Sequence, residues 1–76
     1  MNNQRRKQIT KIINDLENSK DDITDILQEE EEAFDNMPEN LLGSERAEQS
    51  QNAIDLLNDA INNLDEAINN LEEAQE

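Results

Sequence analysis

The side chains able to do acid–base or ligand chemistry in this 76-residue chain are almost all carboxylates. There are 20 Asp and Glu against six Lys and Arg, and no Cys, His, Trp or Tyr. Without a thiol or an imidazole, nucleophilic, redox and soft-metal chemistry has no carrier. Paired carboxylates hydrolyse glycosides only when a concave pocket holds them on opposite sides of a substrate. Di-metal carboxylate bundles combine core-facing Glu with Glu-x-x-His, and here Glu30 is the lone acid in a core column. The run Glu29-Glu30-Glu31-Glu32 lacks the ligand spacing and central Gly of a calcium loop. The reading is of a non-enzyme, with no catalytic, cofactor-binding or metal-ligating residue and no cofactor.

What the acids offer instead is charge at regular spacing. Asp15, Asp22 and Glu29 share one heptad column, with Asp25 and Glu32 beside them; Asp59, Glu66 and Glu73 share another with Glu45. In a helix, successive members of a column stand about 10 Å apart. Duplex DNA also presents regular negative charge along a rigid rod, and its binders carry basic grooves. Asp15, Asp22, Asp25, Glu29, Glu32, Asp59, Glu66 and Glu73 are therefore a candidate protein-binding face for a basic partner, with a merely solubilising face as the plain alternative. The outward Asn62, Asn63, Asn69 and Asn70 read as exposed polar filler. A second candidate surface is apolar: Phe34, Met37, Leu41 and Leu42 gather around Pro38, rimmed by Asp35, Glu39 and Glu45. An apolar centre with a charged rim suits a protein-binding tip, and the same residues also suit the cap of a hairpin end.

The net charge of −14 is unevenly divided. Residues 1–20 carry a net +3, while residues 21–76 hold 18 acids against Arg46 alone, a net −17. Antiparallel helices would set Arg5, Arg6 and Lys7 beside Glu72, Glu73 and Glu76. A basic arm reaching nucleic acid is opposed by the field of the remaining chain, so direct nucleic-acid binding is not expected.

The elements that position these groups come from hydrophobic spacing. Ile, Leu and Phe make up only 17 of 76 residues, so arrangement decides whether the chain folds. Residues 53–74 contain a seven-residue repeat, with Ile54, Ile61 and Ile68 in one column and Leu57, Leu64 and Leu71 in the other. That is a heptad with Ile at a and Leu at d; Ala47 and Ser50 extend it. Ala53, Ala60, Ala67 and Ala74 fall at g, where a two-stranded coil normally carries charge, and so point to a bundle. In the first half, Ile13, Leu27 and Phe34 fall in one column and Ile9, Leu16, Ile23 and Met37 in the other, with Ile12, Ile26 and Ala33 alongside. Lys20 and Glu30 interrupt this stripe, either as edge imperfections or as residues that set register.

Pro38 lacks an amide hydrogen and disfavours a helical Met37, which ends the first helix near residue 35. Gly43 can take positive φ and end a short turn, and Ser44 can cap a second helix. The expected fold is all-α: helices at about 4–35 and 44–74, with linker 36–43, forming one antiparallel helical hairpin across residues 1–76. Ser19 and Asp22 have capping-box spacing, which would allow a break near residue 19. A stripe three columns wide exceeds what one partner helix covers, so the hairpin is expected to dimerise into a four-helix bundle. Apolar runs never exceed two residues, so neither a membrane span nor a signal peptide is expected. A cytoplasmic setting fits the lack of cysteine.

The linker stretch Glu32-Ala33-Phe34-Asp35-Asn36-Met37-Pro38-Glu39-Asn40-Leu41, followed by Gly43-Ser44-Glu45-Arg46 and the repeat Leu64-Asp65-Glu66-Ala67, resembles small acidic proteins encoded by bacteriophages and prophages, mostly of unassigned function. The resemblance spans about two thirds of the chain. It implies a two-helix accessory protein from a mobile element, acting in the cytoplasm of a bacterial host, and carries over no catalytic residue. Phage proteins of this size and charge include inhibitors of host defence or DNA-binding proteins, some of which mimic DNA; that implication is an analogy of size and charge. The leading expectation is such an inhibitor, occupying a basic groove of a host protein. The alternative is a structural or assembly accessory acting through the apolar stripe and the 34–42 tip.

Overall fold

In a computed structural model, which describes residues 1–41 and 43–76, the chain forms two long helices and a short turn. Helix α1 spans Asn3–Asp35 and α2 spans Glu45–Ala74, with a 3₁₀ turn at Glu39–Leu41 between them. The helices lie against each other as an antiparallel hairpin, 59 × 15 × 12 Å in its principal extents. Its radius of gyration is 17.3 Å, against about 11 Å for a compact domain of this length.

Each helix boundary has a local cause. Asn2 caps α1, its side-chain oxygen accepting from the Arg5 amide at 2.8 Å, which satisfies one of the free amides of the first turn. α1 then runs unbroken through Ser19, Lys20 and Asp22; the capping-box spacing there is overridden by the continuous stripe on either side. α1 closes where the Asn36 and Met37 amides donate to the carbonyls of Glu32 and Phe34, at 3.0 and 3.1 Å. The Leu41 amide donates to the Pro38 carbonyl at 2.9 Å, forming the turn. Ser44 caps α2: its hydroxyl donates to the Leu41 carbonyl and accepts from the Ala47 amide. Glu45 and Glu48 then complement the positive end of the helix dipole.

Gly43 departs from expectation. No described residue has positive φ, Gly43 included. The turn is closed by the hydrogen bond from the Ser44 amide to the Leu41 carbonyl, so no left-handed residue is needed to reverse the chain.

The interior follows the two heptad columns. Ile13 and Leu27 on α1 and Ala47, Ile54 and Ile68 on α2 are the buried apolar residues among those described, and no large side chain there is fully buried. Ile9, Leu16, Ile23, Phe34, Leu57, Ile61, Leu64 and Leu71 are half-buried along the same seam. Two helices alone leave each seam residue one wet side, which is why the interior is thin.

The two interruptions of the stripe both find partners across the hairpin. Glu30 Oε1 accepts from the hydroxyl of Ser50 at 2.7 Å; Ser50 is itself buried in the α2 seam. Lys20 pairs with Asp65. These polar contacts tie α1 to α2 at two levels, so Lys20 and Glu30 act as register markers. No helix of the described residues is long and apolar enough to cross a membrane.

Candidate functional site

The acids lie where heptad geometry puts them. Packing along a and d turns the b, c and f positions of each helix to solvent, and all eight candidate acids are exposed. They do not form one surface. Asp15, Asp22, Asp25, Glu29 and Glu32 line the outward side of α1, and Asp59, Glu66 and Glu73 the outward side of α2, which faces away from it. The rod therefore carries two acidic edges rather than a single acidic face.

Few cations neutralise them. Among the described residues the salt bridges are Lys11–Asp15 at 3.0 Å, within one turn of α1, and Lys20–Asp65 between helices. Asp65 holds the Lys20 ammonium above its ordinary value, chiefly by hydrogen bonding, with desolvation opposing it and the charge of Asp65 adding to it. The basic start of α1 does not meet the terminal acids of α2 as expected. Arg6 Nε donates instead to the Gln75 backbone carbonyl at 3.0 Å, where the free carbonyls and negative dipole end of α2 attract a cation. Thr10 adds a side-chain hydrogen bond to Gln75 Oε1 at 3.1 Å. Glu72, Glu73 and Glu76 consequently remain available to solvent.

At the tip, Phe34, Met37 and Leu41 are half-buried, while Pro38 and Glu39 are exposed. Leu42 lies outside the described residues. Phe34 thus joins the seam more than it projects from the tip. A shallow groove of about 290 Å³ beside it is lined by Glu30, Ala33, Met37, Arg46, Gln49 and Ser50. Among the described residues no three acidic side chains converge as a metal-binding group.

The large exposed apolar residues are Met1, Ile12, Ile26 and Leu56, the last at 67% exposure. Ile12 and Ile26 were visible as the third column of the α1 stripe. Leu56 was not, because its c position lies off the repeat; the signal was a lone Leu doubling Leu57. In an antiparallel pair the g column of one helix lies beside the g column of the other. Ile12, Ile26 and Ala33 therefore share one flank with Ala53, Ala60 and Ala67, and Leu56 borders it. The opposite flank, formed by e positions, carries Thr10, Glu17, Thr24 and Glu31 with Gln51, Asn58, Asp65 and Glu72, and is polar throughout.

Comparison with known protein families, with curated proteins and with solved structures finds no match to this chain.

Proposed function

We propose that this chain is a non-enzymatic acidic binding protein whose carboxylate edges occupy a basic groove of another protein in place of DNA. The observation that carries the reading is the pair of exposed acid rows on a 59 Å rod with so few intramolecular ion pairs. Seven helical residues rise about 10.5 Å, close to three 3.4 Å phosphate steps of one DNA strand. Carboxylates on two opposite edges also parallel the two phosphate strands of a duplex. The resemblance to small acidic phage proteins fits an inhibitor of a host DNA-binding or defence protein.

The test compares the wild type with the quadruple variant Asp22→Asn, Asp25→Asn, Glu29→Gln and Glu32→Gln. Both are used to capture proteins from a nuclease-treated bacterial lysate at low salt, with circular dichroism confirming equal helix content. A basic protein that is eluted by salt, competed by duplex DNA and lost with the variant supports the reading. Equal capture by the variant, or capture that survives 1 M salt, overturns it.

The finer architecture proposed with this function is a pair of hairpins forming a four-helix bundle. One hairpin exposes 5740 Å², about 1,000 Å² more than a compact monomer of 8.7 kDa. The exposed Ile12, Ile26 and Leu56 also favour a second reading, an assembly accessory acting through apolar surface. Under it, Phe34→Ala or Leu41→Ala weakens partner binding more than acid neutralisation does.

A further inference from the structure

We infer that the flank carrying Ile12, Ile26, Ala33 and Leu56 is the docking surface for a second copy of this chain, with α1 of each copy lying on α2 of the other and both tips at the same end. The orientation presupposes the pairing of hairpins proposed above and specifies its surface and geometry.

Area supports the occupant. The apolar members of the flank run from Ile12 to Ala33, about 32 Å of the 59 Å rod; closing that side over its full length, polar ends included, would bury at most about 1,400 Å² in total, within the range of stable protein interfaces. Polarity selects the flank, since the e-position side is polar at every level.

Register supports the orientation. The Glu30–Ser50 and Arg6–Gln75 contacts show that a residue of α1 lies level with the α2 residue whose number brings the sum to about 80; the long Lys20 side chain reaches about one turn further, to Asp65. A two-fold axis along the rod preserves those levels between copies. Ile26 then meets Ala53, and Ile12 meets Ala67, a large side chain against a small one in both cases. In the c columns that border the flank, Asp15 comes level with Asn63 and Glu29 with Gln49, so each of these acids faces an amide able to donate to it, while Asp22 comes level with Leu56. The reverse arrangement, tips at opposite ends, mirrors α1 about its midpoint Ser19. It sets Ile12 against Ile26 and brings Asp15 level with Asp22 of the other copy, a like-charge pair. The tips themselves are strongly negative: residues 29–48 hold eight acids and Arg46. Those acids lie mostly outside the flank, where salt screens charges more than about 8 Å apart. Self-association is accordingly strengthened by salt.

Sedimentation velocity of the full chain in 0.15 M and 0.5 M NaCl tests the pairing. The wild type should sediment as a dimer. The variants Ile26→Glu and Leu56→Glu, which alter residues already exposed, should sediment as monomers with unchanged helix content at equal concentration. Orientation is read separately, by pulsed dipolar spectroscopy on Gln4→Cys carrying a spin label. Gln4 is neutral and faces outward at the open end. Tips together place the two labels within the bundle width, about 30 Å; tips apart place them about 45 Å apart along the rod. A wild type that stays monomeric at both salt concentrations overturns the pairing itself. Dimers unaffected by Ile26→Glu and Leu56→Glu overturn the surface. A dimer with label separations near 45 Å overturns the orientation alone.

Discussion

The contact between Glu30 and Ser50 allows a sharp test of how this hairpin is held. Ser50 occupies a seam position with 8% of its surface exposed, and its hydroxyl donates to Glu30 at 2.7 Å. Ser50→Ala leaves no clash and almost no cavity, so its cost is the hydrogen bond. A bond to a charged acceptor contributes about 1.5–3 kcal/mol when buried. Glu30 is only half-buried and can turn to water, which lowers the expected cost to about 1–1.5 kcal/mol. For a domain of this size that is a fall in Tm of about 5–10 °C.

The informative step is to repeat the substitution where Glu30 is already Leu. Leu at a half-buried seam position gains about half the 1.5–3 kcal/mol of full burial. The Ser50 hydroxyl, deprived of its acceptor, can bond back to the carbonyl four residues earlier. Ser50→Ala should then cost nothing measurable, and the double variant should match the wild type to within about 0.75 kcal/mol, because the apolar burial gained offsets the hydrogen bond lost. Urea unfolding followed by circular dichroism at 222 nm is the assay, since the chain has no Trp or Tyr. Protein concentration is held fixed throughout because self-association would add apparent stability. If Ser50→Ala costs the same in both backgrounds, within about 0.3 kcal/mol, the two side chains do not act as a pair and the register argument fails.

Ile54→Ala and Ile68→Ala, at buried seam positions, should each cost about 2–4 kcal/mol, enough to unfold most of the population. Gly43→Ala should stabilise by about 0.4–1 kcal/mol, because Gly43 has no positive φ and nothing lies within 4 Å of the added methyl; the same urea series checks it. Lys20 has a folded-state value raised above 10.5 by Asp65. Its contribution is therefore complete below the ordinary lysine range and lost as pH rises through the elevated value. Lys20→Met should flatten that alkaline fall in a thermal melt. Raising NaCl from about 10 mM to 0.5 M should increase the urea midpoint, because net charge of −14 makes screening of repulsion outweigh the loss of exposed ion pairs.

Much of this architecture was readable from residue order because heptads encode it directly. Ile54, Ile61 and Ile68 with Leu57, Leu64 and Leu71 announce α2 and its inward side, and Pro38 and Ser44 mark where one helix ends and the next begins. Readings that required knowing which groups compete for one partner were less accessible. Arg5, Arg6 and Lys7 were matched to Glu72, Glu73 and Glu76 by charge alone. The α2 terminus instead offers a carbonyl that a guanidinium binds with better geometry. Glu30 read as an interruption of one stripe and Ser50 as an extension of the other, and only the antiparallel register brings them together. The acids formed regular columns in the sequence, but columns on two helices become one face or two edges according to how the helices are turned. Packing along a and d makes them two edges.

Charge and packing make opposing demands on this chain, and the fold satisfies neither alone. A hairpin of two helices buries only five apolar side chains among the described residues, too thin an interior for comfortable stability at this length. Fourteen uncompensated negative charges then oppose compaction further. Covering the Ile12–Ile26 flank with a second hairpin would relieve the first deficit, since it adds apolar burial where the side chains are already exposed. It worsens the second, because the pair carries twice the charge. A cationic groove closing on the outermost acids, Asp25, Glu32, Asp59, Glu66 and Glu73, would relieve that second deficit without covering the flank, which Asp15, Asp22 and Glu29 only border. Pairing through the flank and binding through those outermost acids would then be complementary rather than competing uses of the rod. The consequence is directional: a basic partner should tighten the dimer, and Ile26→Glu, although it removes no carboxylate, should weaken partner binding wherever one groove engages both copies.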